Sequence, residues 1–352
     1  MSETPINGRR ILIIGGAGFI GHNMALAYKA RGADVHVLDG LQVNHLLAHS
    51  GDVNNPNRDL YVRFLNERLT MLRNADIPLH VEDARDYHRL SHVMSAVKPQ
   101  SVVHLAAVSH AGWANKNPFN TFDHSMRTLE NALDASRDIA EHFVFFSSSM
   151  AYGNFPTEMV DEETPCNPLG IYGALKLGGE HLVRAYNQVF GLPYTIIRPS
   201  ALYGERCVSR RVLQVFIERA LKGETLQVTG DGGDRLDFTY VGDVVNGISR
   251  VIESEASRGE TFNLTFGRSR SLNEAIAILR NYFPDLHVEN VPTDRLMPER
   301  GTLNVHKARR LIGYEPQFPL EIGLTRYIEW YLSTMNGDSS MAVASAADLS
   351  IR

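Results

Sequence analysis

The chain has 352 residues, a formal net charge of -5 at pH 7 and two cysteines, Cys166 and Cys207. That charge argues against nucleic acid or a membrane surface as the main partner, and two cysteines are too few for a disulfide framework. No apolar run approaches the ~20 residues of a spanning helix, and Met1-Ser2-Glu3-Thr4-Pro5 carries no hydrophobic signal core, so a reduced cytoplasmic setting is expected.

In chain order, Arg10-Ile11-Leu12-Ile13-Ile14 carries four consecutive aliphatics and reads as a buried strand of a parallel sheet. Gly15, Gly18 and Gly21 follow at Gly-x-x-Gly-x-x-Gly spacing, with Phe19 and Ile20 between the last two, and a helix over Asn23 to Arg31 opens around His22. Glycines let a pyrophosphate approach the backbone, and a helix N-terminus offers it free N–H groups; the triplet alone would also suit a tight turn. The next strand, Val35-His36-Val37-Leu38, ends in Asp39, whose carboxylate can accept both adenosine ribose hydroxyls and would repel a 2′-phosphate. The expected cofactor is therefore NAD rather than NADP.

Gly40 to Pro78 is an unusual insertion. His45 to Arg58, with Gly51 and Pro56, reads as a loop. Leu60, Phe64, Leu65, Leu69, Met71 and Leu72 have helical spacing and read as a surface helix packed on the sheet; a cover over the cleft or an oligomer contact is the alternative. Leu79 to Asp83 is a third strand, with Asp83, followed by Ala84, placed to accept from an adenine amino group. Ser101 to Ala107 is a fourth, closing in Leu105, Ala106 and Ala107, small enough at the end for a flat ring to approach. His104 reads as a satisfied core histidine, while Ser109, His110, Trp113 and His124 lie near the cleft edge, for substrate contact or for packing.

The fifth strand, Phe143 to Phe146, ends in Ser147, Ser148 and Ser149, followed by Tyr152-Gly153. Ligands of open α/β sheets bind beyond the carboxyl ends of the strands. Serines bonding their own backbone would explain one of the three more easily than all. Tyr172 and Lys176 then share one helix face at four-residue spacing, where an ammonium favours the phenolate and lowers a pKa of about 10 toward neutrality.

With these motifs in place, the chain from about Arg10 to Leu332 resembles the extended short-chain dehydrogenase/reductases, in particular the NAD-dependent nucleotide-sugar epimerases and dehydratases. Gly15 to Gly21, His104 to Ala107, Ser147 to Ser149 with Tyr152-Gly153, Tyr172 with Lys176, Arg198-Pro199 with Tyr203-Gly204, and Asp237 to Val241 with Asp243 carry the resemblance. It implies Tyr172 as base, Lys176 as the residue that binds the nicotinamide ribose and lowers the tyrosine pKa, and Ser148 as the hydroxyl sharing the substrate proton. It also implies Pro199 at the cofactor, and a homodimer through a four-helix bundle to which Met126, Leu129, Leu133, Leu177, Leu182 and Val183 would supply apolar surface, unless they face the sheet.

Two departures shape the expected reaction. Dehydratases of this family carry an acidic pair just after the catalytic Ser/Thr; this chain has Ser149-Met150, neither able to serve as that acid or base. At the substrate end, Ala201, Leu236 and His124 stand where Asn, Arg and Asn are frequent. Arg210, Arg211, Arg235 and Arg300 are candidates for a diphosphate, each also compatible with a solvated surface role.

The expected fold is α/β: a Rossmann-type doubly wound parallel sheet over residues 1–200, and a smaller mixed α/β substrate lobe over 201–335, some of whose segments return to the sheet. Leu213 to Leu221, Val244 to Ile252 and Leu272 to Tyr282 read as its helices, and a flexible tail over 336–352 follows. The expected function, placing the chain in carbohydrate biosynthesis, is an NAD-dependent epimerase of the C4 type acting on a nucleotide-diphosphate sugar, with no metal. A net dehydrogenase, reductase or decarboxylase is the alternative, and a cofactor-binding protein without activity is disfavoured by the intact Ser148, Tyr172 and Lys176.

Overall fold

The computed structural model describes residues 5–42, 45–52, 55–107, 111–293 and 296–336. Its first half alternates β1 (Arg10–Ile14), α1 (Phe19–Ala30), β2 (Asp34–Leu38), the insertion helices α2 (Leu46–Gly51) and α3 (Arg58–Asn74), β3 (Leu79–His80), α4 (Tyr87–Val97) and β4 (Ser101–His104). Next come α5 (Ala111–Lys116) and α6 (Pro118–Phe122), which runs through a π-helical turn, Asp123–Arg127, into α7 (Thr128–Ser136). Then follow β5 (His142–Phe146), a 3-10 turn at Ser149–Ala151, β6 (Met159–Val160), the long α8 (Gly170–Phe190) and β7 (Tyr194–Arg198).

The second half holds β8 (Leu202–Tyr203), α9 (Val212–Leu221), β9 (Leu226–Thr229), β10 (Arg235–Leu236), β11 (Thr239–Tyr240), α10 (Val241–Glu253), β12 (Glu260–Asn263), β13 (Arg270–Ser271) and α11 (Leu272–Arg280). It closes with β14 (Val288–Val291), β15 (Thr302–Leu303), α12 (His306–Ile312) and α13 (Leu320–Met335).

Seven parallel strands form one sheet in the order β12-β7-β5-β4-β1-β2-β3. Their side chains alternate between two apolar layers, as the period of a strand requires. Ile11, Ile13, Val35, Val37, Val103, Val144 and Ile197 face one core, while Leu12, Ile14, Leu38, Val102, Phe143, Phe145 and Ile196 face the other. The strand order reverses at β1, which lies between β2 and β4, and a doubly wound sheet opens its ligand crevice at such a point. The edge strand β12 comes from the second half of the chain, whose remaining strands form two-stranded pairs. Among the described residues no helix is long and apolar enough to cross a membrane.

Several element bounds differ from the sequence expectation for local reasons. The first helix begins at Phe19, because Gly18 is already its extended N-cap (φ -69°, ψ 178°). Gly21 therefore lies inside the first turn, where a Cβ would stand 2.5 Å from the Gly16 Cα; it serves close packing of helix on loop. The third strand stops at His80, whose carbonyl accepts from both Asp39 N and Glu82 N (3.1 Å each). Part of the expected loop at His45 to Arg58 is helical, with the His49 ring edge-on to Tyr61 at 6.0 Å.

The second part of the insertion is a helix, α3, with Tyr61, Phe64, Leu65, Arg68 and Leu72 buried on one face. It lies against α1 and reaches the end of the chain: the Phe64 ring meets Trp330 at 4.7 Å and Tyr331 at 5.8 Å. Glu218 of α9 accepts from Asn57 (2.6 Å), Tyr61 (2.8 Å) and Tyr331 (2.9 Å). The second part of the insertion is thus a surface helix, as expected, whose buried face joins α1 to the second half of the chain.

Candidate active site

At the tip of β1, Gly15 has φ +82°, and a Cβ there would stand 2.8 Å from the Ala106 N. The backbone is as close to the end of β4 as a side chain of any size forbids. Asp39, at the tip of β2, is buried and accepts from Ala17 N (3.0 Å, Oδ2) and Leu41 N (2.8 Å, Oδ1). The carboxylate therefore sits against the glycine-rich loop. Leu105, Ala106 and Ala107 are half-buried on the opposite wall. The tight approach at Gly15 and Gly21 and the Asp39 carboxylate on the Ala17 N–H leave a loop of bare backbone ending in a buried acid, and these residues fit a dinucleotide.

Asp83 lies at the same end, but its charge is matched by a residue that the sequence reading passed over. Arg85 donates to it through Nη2 (2.7 Å) and through the backbone N (2.9 Å), and reaches Asp123 of the π-helical turn with Nη1 (2.8 Å). Ala84 is buried, and its carbonyl accepts from Asn131 Nδ2 at 3.0 Å. His124 is half-buried near this group; burial and the Arg85 charge hold its pKa down. Ser109 and His110 lie outside the described residues, as do the Trp113 side chain and 337–352 of the expected tail.

At the tip of β5 the three serines take different roles. Ser147 Oγ donates to Glu180 Oε1 at 2.6 Å. Ser148, in extended backbone, accepts from Met150 N at 3.2 Å, so the local capping function is real for this residue, and its hydroxyl also acts on the Tyr172 phenol, lowering its pKa. Ser149 is buried, and its N donates to the carbonyl of the buried Pro199 at 2.9 Å. Gly173, next to Tyr172, packs where a Cβ would stand 2.6 Å from the Met150 carbonyl oxygen. That close approach sets α8 directly on the turn that carries the serines.

Lys176 is buried, and its Nζ donates to the Phe146 carbonyl oxygen at 2.6 Å, with the Tyr172 ring centroid 5.9 Å away. Here the structure corrects the sequence expectation. Tyr172 is raised above the ordinary phenol value by burial, and what pulls it down is Arg211 and the Ser148 hydrogen bond. The lysine is itself pushed down to about 8 by burial, against the pull of Glu180. Depth in the protein outweighs the charge that the four-residue spacing promised. His104 is in the core as expected, stacked on Phe143 at 6.1 Å, yet not satisfied: its Nε2 has no hydrogen-bond partner among the described residues. Burial and the Lys176 charge push it to about 3, so it is neutral.

The four arginines separate. Arg211, the N-cap of α9, is half-buried, and its Nε is buried without a hydrogen-bond partner among the described residues. Arg300 has the same half-buried position and unpartnered Nε, and burial lowers it to about 10. Arg210 is exposed. Arg235 is also exposed and spends its guanidinium on the Ser269 carbonyl (2.7 Å) and on Glu274 (3.6 Å). The alternation of β10 turns Leu236 into the core instead, so Arg235 does not stand in for an arginine at 236. Ala201 is half-buried, with φ +37° and its carbonyl accepting from Thr239 N at 3.3 Å.

Comparison with known proteins agrees with this arrangement. Residues 11–265 match the model of the NAD dependent epimerase/dehydratase family. UDP-glucuronate 4-epimerase 4 of Arabidopsis thaliana is 27% identical over 96% of this chain and 78% of its own length. The dTDP-glucose 4,6-dehydratase of Xanthomonas campestris is 28% identical over 92% and 93%. In structure, the Thermus thermophilus UDP-glucose 4-epimerase in complex with NAD superimposes with a TM-score of 0.78 at 26% identity, covering 92% of this chain and 99% of the other.

Proposed function

The chain belongs to the NAD dependent epimerase/dehydratase family, with NAD as cofactor, and from that premise we propose that it is a nucleotide-sugar epimerase of the C4 type. The observation that carries the choice within the family is the turn against which α8 packs. Ser148 acts there on the Tyr172 phenol, while Ser149 and Met150, both buried, add no titrating group to the turn. Oxidation and reduction at one carbon need one base and one hydroxyl; expulsion of water from the neighbouring carbons needs a further acid and base.

Bound NAD supplies a hydride acceptor and returns the hydride. Tyr172 takes the proton of the sugar C4 hydroxyl on its phenolate oxygen, and Ser148 shares that proton through its own hydroxyl. Lys176 would hold the nicotinamide ribose, and it keeps a positive charge by the Tyr172 ring. Once the sugar has turned in the site, Tyr172 would give the proton back to the same oxygen, and the sugar would leave with no net change of oxidation state. Gly15, Gly18, Phe19, Ile20 and Asp39 would hold the pyrophosphate and adenosine ribose, with Gly21 letting the helix close on the loop, and Asp83 with Ala84 would hold the adenine. Arg211 and Arg300, each with a buried unpartnered Nε, are suited to the substrate diphosphate.

The same reading assigns the sheet layer to the cofactor and the second half of the chain to the sugar nucleotide, in a cytoplasmic enzyme of carbohydrate biosynthesis. A homodimer is part of it, with a revised surface. Leu129, Leu133 and Val183 are buried within the protomer in the sheet-facing core, and Leu182 packs against it, whereas Phe119 (81% exposed) and Phe122 (55%) on α6 and Val189 (71%) on α8 are exposed apolar side chains. Met126 and Leu177 are half-buried.

The test is incubation of the purified protein with catalytic NAD and a panel of UDP-, GDP-, CDP- and dTDP-sugars. An epimer formed without stoichiometric NADH supports the reading; one NADH per product, or loss of carbon dioxide, replaces it with a net oxidoreductase.

A further inference from the structure

We propose that Glu180 is a positioning residue for the reaction: it bolts the serine-bearing strand tip to α8 and supplies the anion against which the buried Lys176 ammonium is set. The inference rests on the reading of Tyr172 and Lys176 as the reactive pair.

Two consecutive residues of the strand tip meet two residues one helical turn apart. Phe146 O accepts from Lys176 Nζ (2.6 Å) and Ser147 Oγ donates to Glu180 Oε1 (2.6 Å), while the next residue, Ser148, acts on the Tyr172 phenol and lowers its pKa. Positions 172, 176 and 180 fall on one face of a helix, so a single rigid edge sets both contacts and carries Tyr172 beside them. Glu180 is fully buried and takes a fork from Arg198 (Nε 2.8 Å, Nη2 2.7 Å), with Arg184 Nη2 at 3.2 Å. Burial pushes this carboxyl up, but the Arg198 fork outweighs it and holds the group below its ordinary value, so it stays ionised.

The surroundings of Lys176 explain why an anion is needed. From β5 it faces the Phe146 carbonyl and the Phe145 ring (5.3 Å), and from β4 the neutral His104. On its own helix it faces the Tyr172 ring and Glu180; Arg198 and Arg184 pair with Glu180, and the Arg211 charge acts on Tyr172. Glu180 is the acid whose charge supports the ammonium. A lysine buried among rings and carbonyls with no anion loses its proton near neutral pH.

The experiment is 13C-lysine NMR on the full-length protein, with the Lys176 signal assigned by Lys176→Met. In the unaltered protein Lys176 is expected to titrate near 8. In Glu180→Gln the titration is expected to fall by about one pH unit or more, with Glu180→Asp close to the original value. Because Glu180→Gln leaves Arg198 buried and unpaired, Glu180→Gln/Arg198→Met is the variant designed to fold; a smaller fall is expected there, since the Arg198 cation leaves together with the anion it pairs. An unchanged Lys176 titration in either folded variant overturns the proposal and leaves Glu180 a packing residue. The readout needs no sugar, so it stands even if the panel shows that the enzyme is not an epimerase. With turnover in hand, the alkaline limb of kcat is expected to move with Lys176.

Discussion

Lys176 is tied to the Phe146 carbonyl oxygen at 2.6 Å, so its ammonium is anchored to the sheet before any ligand arrives. That anchor fixes the ammonium beneath the Tyr172 ring at 5.9 Å from its centroid. Lys176→Met keeps the stem and removes the charge. Turnover is expected to fall by about 10²-fold or more, and NAD affinity to weaken, with the fold intact by circular dichroism.

Tyr172 must lose its proton to act as a base, and burial makes that loss harder. Turnover is therefore expected to rise with pH as the phenolate forms. Arg211 is among the groups that pull the phenol down, so removing its charge raises the phenol further and shifts the rising limb to higher pH. The shift expected for Arg211→Met is about one pH unit, read from kcat between pH 6 and 10. A limb that stays in place would show that Arg211 acts only on the substrate.

Gly15 combines φ +82° with a Cβ position 2.8 Å from Ala106 N. Gly15→Ala carries backbone strain of about 1–3 kcal/mol and pushes the ends of β1 and β4 apart. NAD affinity measured by calorimetry is expected to drop by about tenfold or more, while an alanine at the exposed Gly51, where nothing lies within 4 Å, leaves it unchanged.

Phe64 is fully buried between the insertion and the end of the chain, against Trp330 and Tyr331. Phe64→Ala is expected to cost about 3–5 kcal/mol of stability, seen as a lower midpoint in urea. A loss below about 1 kcal/mol would mean that the 40–78 segment is a detachable surface helix.

The exposed apolar side chains Phe119 and Phe122 of α6 and Val189 of α8 predict association. Sedimentation of the unaltered protein at micromolar concentration is expected to give a dimer, and Phe122→Asp combined with Val189→Asp a monomer that still binds NAD. A monomer in both removes the dimer from the account.

Much of this architecture is legible in the chain itself because it is local. Four aliphatics before a glycine loop, the acid ending β2, and Tyr172 four residues before Lys176 each depend on short-range periodicity, and the structure brings them together at the strand tips. What escaped is set by depth and by distant pairing. Spacing places Lys176 beside Tyr172 but says nothing of burial, which reverses the expected direction of the phenol shift. Arg85 reaches Asp123 and Glu180 reaches Arg198 only after folding, with no periodic signal linking them. Arg235 and Leu236 differ by one residue, and only the register of β10 on β13 decides which faces the core.

The most direct test is a nucleotide sugar deuterated at C4, followed by NMR through one round of conversion with catalytic NAD. The account predicts that deuterium remains on C4 of the epimer, with inverted configuration, and that Tyr172→Phe slows this by about 10²–10⁴-fold while still binding NAD. Deuterium found at C6 of a deoxy sugar, or carried away in accumulated NADH, would contradict it.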